Sequence, residues 1–444
     1  MKIPAGVILS VASGKTLTIN GPIEAGIYKI FSGRGEVLLG VGSVKEIYPE
    51  WWGTNTTPGT TDMSAALQYA INAANHTGQI IHLAAQQYKV STILNMLSHV
   101  RLEGSVRIQE SGAVMKGTEL VQSASETSIL SVGDNVAGWT LRNLTFRGTE
   151  TASPFSMGRG TLLQLNKVTA GLIEDCRFIY SRYCIQVMSG KNVSGVNIHR
   201  CYFWYNNQAL LLNGGWADSW ISDSEFWSVD TAIYATTSNS LSSIQIYENQ
   251  FFLCKSGINA TNPNFVNIIG NRFNDIGGCG VRLYGNSTDI SITGNLFINC
   301  GTNGTVADYD RSGINLFAAS STNYPNTISI TGNVFTGCHH DIYLTSNQSP
   351  PHNSRIQGNA GRIEMSVTDL TVYDTSPVFY NNIIDNIVTL MGGERILYWA
   401  NVPSTGTWAV GDRVINSKPS AGSPKSWVCT VPGTPGTWVS EGNL

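Results

Sequence analysis

The segment CGTNGTVADYDRSG, Cys300 to Gly313, gathers Asp308, Tyr309, Asp310 and Arg311 in one polar, glycine-rich stretch. Two carboxylates flanking a glycosidic bond suffice to hydrolyse it. One protonates the leaving oxygen; the other attacks the sugar at about 5–5.5 Å separation, or activates water at about 6.5–9.5 Å. The proton donor must stay protonated, which burial and a neighbouring like charge favour. Asp308 with Asp310 or Asp275 is the expected pair, with Asp341 as a further carboxylate in an equivalent loop. Arg311 and Arg282 would hold acidic or hydroxyl groups of a sugar. The same residues admit a lyase reaction on a uronic acid. Tyr309, His340 or Arg311 would then be the base, and Ca²⁺ on Asp308 and Asp310 would neutralise the substrate carboxylate. An Asp-x-Asp in a glycine-rich loop is also an ordinary solvated turn. His339-His340-Asp341 is not read as a metal site, because neighbours on an extended chain point apart.

What must position these groups is an internal repeat. Eight segments align on one phenylalanine: Phe146, Phe178, Phe203, Phe226, Phe251, Phe273, Phe297 and Phe335. Five positions earlier stands Leu141 or an isoleucine (173, 198, 221, 246, 268, 292 and 330). Alternation of this kind marks a strand with one buried face. Two positions before the phenylalanine, the last four repeats carry Asn249, Asn271, Asn295 and Asn333, residues that tolerate left-handed backbone and can stack as an amide ladder. A second short strand follows each phenylalanine, as in CIQVM, GVRLY and GINLF. A unit of this size cannot bury its apolar face alone and must stack on its neighbours. The leucine-rich-repeat line is absent, and a propeller blade would be longer and antiparallel. An all-β parallel β-helix remains, with rungs about 4.8 Å apart.

On that frame the distance from the phenylalanine to the centre of the following strand is seven or eight residues, but 17 from Phe297 to Ile314. The Asp308–Arg311 stretch is therefore an insertion at one corner of one rung, where functional residues on a rigid scaffold tend to sit. The following turn is also enlarged and contains Tyr324. Outward residues of the last strand of each rung give one row, Gln186, Leu211, Tyr234, Asn259, Arg282, Asn315 and Tyr343. A second row holds Met188, Asn213, Thr236, Thr261, Tyr284, Phe317 and Thr345. Rings suit sugar C–H faces, and amide and guanidinium groups suit hydroxyls. Tyr234, Asn259, Arg282, Tyr284, Asn315, Phe317, Tyr343 and Tyr309 are thus the expected sugar-binding residues; an ordinary solvated face with incidental aromatics is the plainer alternative.

The stretch YPEWWGTNTTPGTTDMSAALQYAINAANHTGQIIHLAAQQYKV, 48 to 90, pairs a turn with a short helix that Thr61 or Asp62 can cap. It resembles the entry segment of the pectate-lyase-like superfamily of right-handed parallel β-helices, where a PEW(F/W)G turn and a T-D-D-x-x-A helix close the solenoid. Here Met63 replaces the second Asp. The resemblance implies a right-handed solenoid, a polysaccharide partner such as capsule, O-antigen or a pectin-like chain, and a phage tailspike-like setting. A virion-tail or extracellular location and a homotrimer follow from that resemblance alone. No Asn-Thr-Asp, Gly-His-Gly or Asp-Pro-His signature is present, so no catalytic residue transfers from it. A non-catalytic receptor-binding or adhesin β-helix stays open beside hydrolase and lyase.

Composition agrees. The 444 residues are 42% hydrophobic and only 13% charged, with 46 Gly and net charge −3. A chain of average composition is about a quarter charged. No Lys/Arg block suggests nucleic acid, no apolar run approaches the about 18 residues of a membrane span, and the opening MKIPAGVILSVASGKTLTI lacks the apolar core of a secretory leader. None of the eight Cys forms a C-x-x-C pair, and Cys254, Cys300 and Cys338 each follow the phenylalanine by three, so they are expected inside as small apolar residues. No cofactor is expected, Ca²⁺ excepted for a lyase. The expected division is a β segment over 1–47, the solenoid over 48–395 with a capping helix near 62–75, and a small β module over 396–444. The module's Gly406-Thr-Trp408 and Gly436-Thr-Trp438 make it loosely similar to small chitin-binding modules, with tryptophans either exposed to sugars or forming its own core.

Overall fold

The computed structural model describes residues 1–75, 78–105, 117–123, 128–149, 160–235, 241–307, 310–320, 322–346, 354–360, 363–365, 378–380, 387–389, 395–404 and 407–444. Asp308, Tyr309 and Thr236 lie outside them. The chain divides into two compact units, Met1–Cys254 and Lys255–Leu444.

In the first unit, the period-2 pattern gives three stacked parallel sheets of a β-helix. One carries the isoleucine strands, such as Asn192–His199, Gly215–Ser222 and Leu241–Tyr247. The next carries the phenylalanine strands Arg177–Ile179, Tyr202–Trp204, Glu225–Trp227 and Gln250–Phe252. The third carries Tyr183–Val187, Gln208–Leu212 and Thr231–Ala235. Each strand pairs in register with its counterpart one rung away, so identical positions stack. Phe203 and Phe226 lie 4.7 Å apart and 3° from parallel, and Phe226 and Phe251 4.8 Å apart and 4°. These spacings are one rung, and all three rings are fully buried.

The entry segment folds as the sequence suggests. Buried Glu50 accepts hydrogen bonds from Tyr88 Oη (2.6 Å) and Gln86 Nε2 (2.8 Å), and Trp51 Nε1 donates to Gly26 O. The helix spans Ser64–Ala74. Met63 occupies the cap position without a side-chain bond. Asp62 supplies the oxygen instead, accepting from Ser64 N at 3.0 Å and Ser64 Oγ at 2.5 Å. Leu67, Ala70, Ile71 and Ala74 form its buried stripe.

The second unit repeats the three-sheet arrangement. Phe273–Phe297 and Phe297–Phe335 stack at 4.8 and 4.9 Å. The amide ladder forms: Asn295 Oδ1 accepts from Asn271 N (2.8 Å) and Nδ2 (3.0 Å), Asn333 Oδ1 from Asn295, and Asn359 Oδ1 from Asn333. The left-handed backbone belongs not to the asparagines but to the residue before each: Gly270, Gly294 and Gly332, at φ 65°, 65° and 63°. In the first unit Cys176, Cys201 and Ser224 occupy the ladder position below Asn249, and all are buried. All eight cysteines are free and buried, which places Cys254, Cys300 and Cys338 inside as expected.

The chain ends in a small, mostly antiparallel sheet over Arg395–Trp399, Arg413–Asn416, Ser426–Val431 and Thr437–Ser440. Trp408, Val414 and Cys429 are its core, with Trp427 and Trp438 packed against it. Three of the module's tryptophans therefore build its own interior, while Trp399 is exposed.

Candidate functional site

The third sheet of the second unit sets the site. Register aligns Asn259, Arg282, Asn315 and Tyr343 in one row and Thr261, Tyr284, Phe317 and Thr345 in the next, as the alternation implies. Just before these rows the strands bend. A Cβ on Gly280 would sit 2.8 Å from the Phe297 ring, and one on Gly313 2.6 Å from the Phe335 ring. Each glycine lets a phenylalanine ring of the core pass close beneath the strand, so the chain turns inward there before Arg282 and Asn315 turn outward.

The insertion is anchored at this bend. Gly301 N donates to Ile276 O (2.9 Å) and Asn303 N to Gly277 O (2.8 Å), stacking its first half on the turn of the rung below. Arg311 Nε donates to Gly301 O (3.0 Å), closing the base of the loop. The main chain of Arg311 is also engaged, its carbonyl accepting from His340 N. Arg311, expected to hold a sugar group, is therefore built into the loop's base. Asp310 N donates to Ala307 O (2.8 Å), a turn that brings the carboxylate back over the sheet.

There it meets Arg282. Arg282 Nη1 lies 3.0 Å from Asp310 Oδ1, with side chains 22% and 29% exposed. The guanidinium also lies 5.8 Å from the Tyr284 ring centre and 5.5 Å from that of Phe317, and those rings stack on each other at 5.0 Å and 22°. Such cation–π contacts are worth about 0.5–2 kcal/mol each and fix the plane of the guanidinium. Burial pushes the Asp310 carboxyl above its usual range, and the Arg282 charge opposes this only in part.

The other expected residues distribute around this corner. Asn315 is fully buried and its Nδ2 donates to Tyr343 O. Tyr343 stacks on His340 at 4.4 Å, and His340 touches His339 edge-on. Asp275 sits in a left-handed turn (φ 53°) and accepts from Asn274 Nδ2 (3.0 Å) and Asn299 Nδ2 (2.9 Å). Asp341 is buried, at the position Gly280 and Gly313 hold in the rungs below. The structure places it at the inward bend rather than on the outward rows. Tyr234 belongs to the first unit, where it is half-buried and in register with Leu211. Asp308 and Tyr309 fall outside the described residues.

Cys279 was not anticipated here. Its Sγ lies 3.4 Å from Ser312 Oγ on the neighbouring strand. Burial pushes the thiol up to about 11; the Ser312 hydrogen bond and Arg282 work against this, and the Asp310 charge adds to it. The thiol stays protonated and acts as packing at the site's base. The only signal was positional: Cys279 and Ser312 both stand two residues before the strand centre.

The right handed beta helix region model matches residues 127–297 and 193–360, together more than half of the chain. No curated protein sequence matches the chain. Among solved structures, DFA-IIIase from Arthrobacter chlorophenolicus in complex with GF2 is similar, at 14% identity and TM-score 0.56, over 76% of this chain and 85% of that one. The same enzyme in complex with DFA-III gives 14% identity and TM-score 0.54, over 76% and 84%. The Dettilon tailspike protein gives 13% identity and TM-score 0.52, over 72% and 68%. At such identities the likeness is one of fold alone. With its phenylalanine stack, its amide ladder and this match, the chain belongs to the right handed beta helix region family.

Proposed function

We propose that the second unit binds a polysaccharide along the outward rows of its third sheet and hydrolyses it at the Asp310–Arg282 corner. The observation that carries this reading is Asp310: a half-buried carboxyl, raised above its usual range, at the mouth of an inserted loop and 3.0 Å from a ring-clamped arginine. A general acid needs its pKa moved toward the working pH, and burial does this here. Arg282 orients the carboxyl. The stacked rings of Tyr284 and Phe317 offer an apolar wall beside it for a sugar face. Asp308 is proposed as the second carboxylate, two residues along the same loop, with Asp275 as the alternative.

The test is incubation of the purified chain with capsular, O-antigen and pectin-type polysaccharides. Reducing ends and the ultraviolet absorbance of unsaturated products are followed together. Reducing ends without absorbance are expected, with loss of about 10²-fold or more in Asp310→Asn. Both signals would make the reaction an elimination, and binding with neither would remove the enzymatic reading.

A further inference from the structure

A different surface of the first unit carries rings that the site above does not use. On the phenylalanine-bearing sheet the central residue of each short strand points inward, so its two neighbours point out. Register places Trp204, Trp227 and Phe252 in one outward row on consecutive strands. Trp204 and Trp227 lie 6.3 Å apart and Trp227 and Phe252 6.0 Å apart. Tyr205, in a left-handed turn at φ 51°, folds against Trp204 at 4.4 Å, and Tyr180 stacks parallel to Tyr205 at 6.0 Å and 7°. Trp227 is 39% exposed. The rings thus form a platform spanning several rungs, not a set of isolated surface residues.

The neighbouring outward row supplies hydrogen-bonding groups. It holds Arg177, Tyr202, Glu225 and Gln250 in register, the last two exposed. Arg177 lies over the Tyr202 ring at 4.9 Å. At the platform's edge Arg147 lies over the Tyr180 ring at 5.5 Å and bonds both oxygens of Glu119 at 3.0 Å. The face therefore sets two arginines against two glutamates. That balance matches an uncharged partner better than a polyanion. Ring faces about one rung, ~4.8 Å, apart in the strand-to-strand direction suit a polymer of repeating flat, C–H-rich faces edged by hydroxyls.

We infer that this face is a second glycan-binding surface, selective for an uncharged polysaccharide and independent of the Asp310 corner. Trp204, Trp227 and Phe252 carry the sugar faces; Glu225 and Gln250 take the hydroxyls. The test is affinity electrophoresis of the full chain in the Asp310→Asn background, in gels containing dextran, galactomannan or inulin, and separately alginate or polygalacturonate. At least one neutral polymer is expected to retard the chain more than either acidic polymer does. Trp227→Ala with Trp204→Ala is expected to weaken that retardation at least tenfold, with the melting transition retained. Should the double variant unfold, oxidation by N-bromosuccinimide read by peptide mapping replaces it, and the neutral polymer must protect Trp227 in the intact chain. Retardation by acidic polymers only, by none, or equally in the variant overturns the inference. So does conversion of a larger assembly to a smaller one by the same substitutions, which would make the face a contact between copies. None of these outcomes bears on cleavage at Asp310, which is measured separately.

Discussion

Replacing Asn295 by alanine removes the middle of the amide ladder in the second unit. The side chain accepts from Asn271 N at 2.8 Å and Nδ2 at 3.0 Å, and donates to Ile268 O at 2.9 Å and Asn333 Oδ1 at 2.9 Å. Asn271 Nδ2 retains Ile269 O, and Asn333 Oδ1 retains Asn295 N. The groups that lose most are Asn271 N–H and Ile268 O. A buried group left unsatisfied costs about 1–3 kcal/mol, so the expected loss is about 2–5 kcal/mol. It would be read from the urea midpoint of Asn295→Ala by circular dichroism, with the slope compared to show that the transition keeps its character. Asn286→Ala, an exposed asparagine of the same unit, is the control and should stay within about 0.5 kcal/mol. A loss below about 1 kcal/mol for Asn295→Ala would show that the ladder bonds are replaced by water, contrary to their complete burial.

Phe226→Ala empties the ring position between Phe203 and Phe251 and should cost about 3–5 kcal/mol by thermal unfolding, while a well-packed Phe226→Leu should cost clearly less. Gly313→Ala drives a methyl to 2.6 Å from the Phe335 ring and 2.8 Å from Asp341 O, so about 1–3 kcal/mol of stability should be lost, seen as a lower Tm. Because burial raises the Asp310 carboxyl, the folded chain holds that proton more tightly than the unfolded chain. The resulting stabilisation is full below the ordinary carboxylate range and is lost as pH rises through the folded value, and Asp310→Asn should abolish this pH dependence. Arg282→Met removes the opposing charge and should move the Asp310 titration to higher pH, measured by carboxyl ¹³C NMR.

Much of the scaffold is legible because stacked rungs repeat one physical problem. The isoleucine five before each phenylalanine, the ring itself and the asparagine between them each occupy one position in every turn, so spacing alone yields the columns. The left-handed residue was misplaced by one because asparagine was weighed for its own backbone tolerance. In fact the adjacent glycine absorbs the bend and frees the amide to reach the next rung. The glycine before Val281 and Ile314 is equally regular. It marks an inward bend, and the same offset puts Asp341 inside, which alternation counted from Tyr343 does not reveal. The corner itself is less legible. Arg282 and Asp310 meet because Arg311 closes the loop and the Ala307–Asp310 turn folds it back. An insertion has no sister rung to set its path.

The most direct test of the Asp310 corner is single-site loss of polysaccharide cleavage. Wild type, Asp310→Asn, Asp308→Asn and Phe226→Leu would be compared on the polymer that the wild type cleaves fastest. The expected result is loss of reducing-end release of about 10²-fold or more in Asp310→Asn with an unchanged melting transition, and near-normal release in Phe226→Leu, whose ring lies in the first unit's core. Full cleavage by a folded Asp310→Asn chain would contradict the assignment of the acid and move the reaction away from this corner.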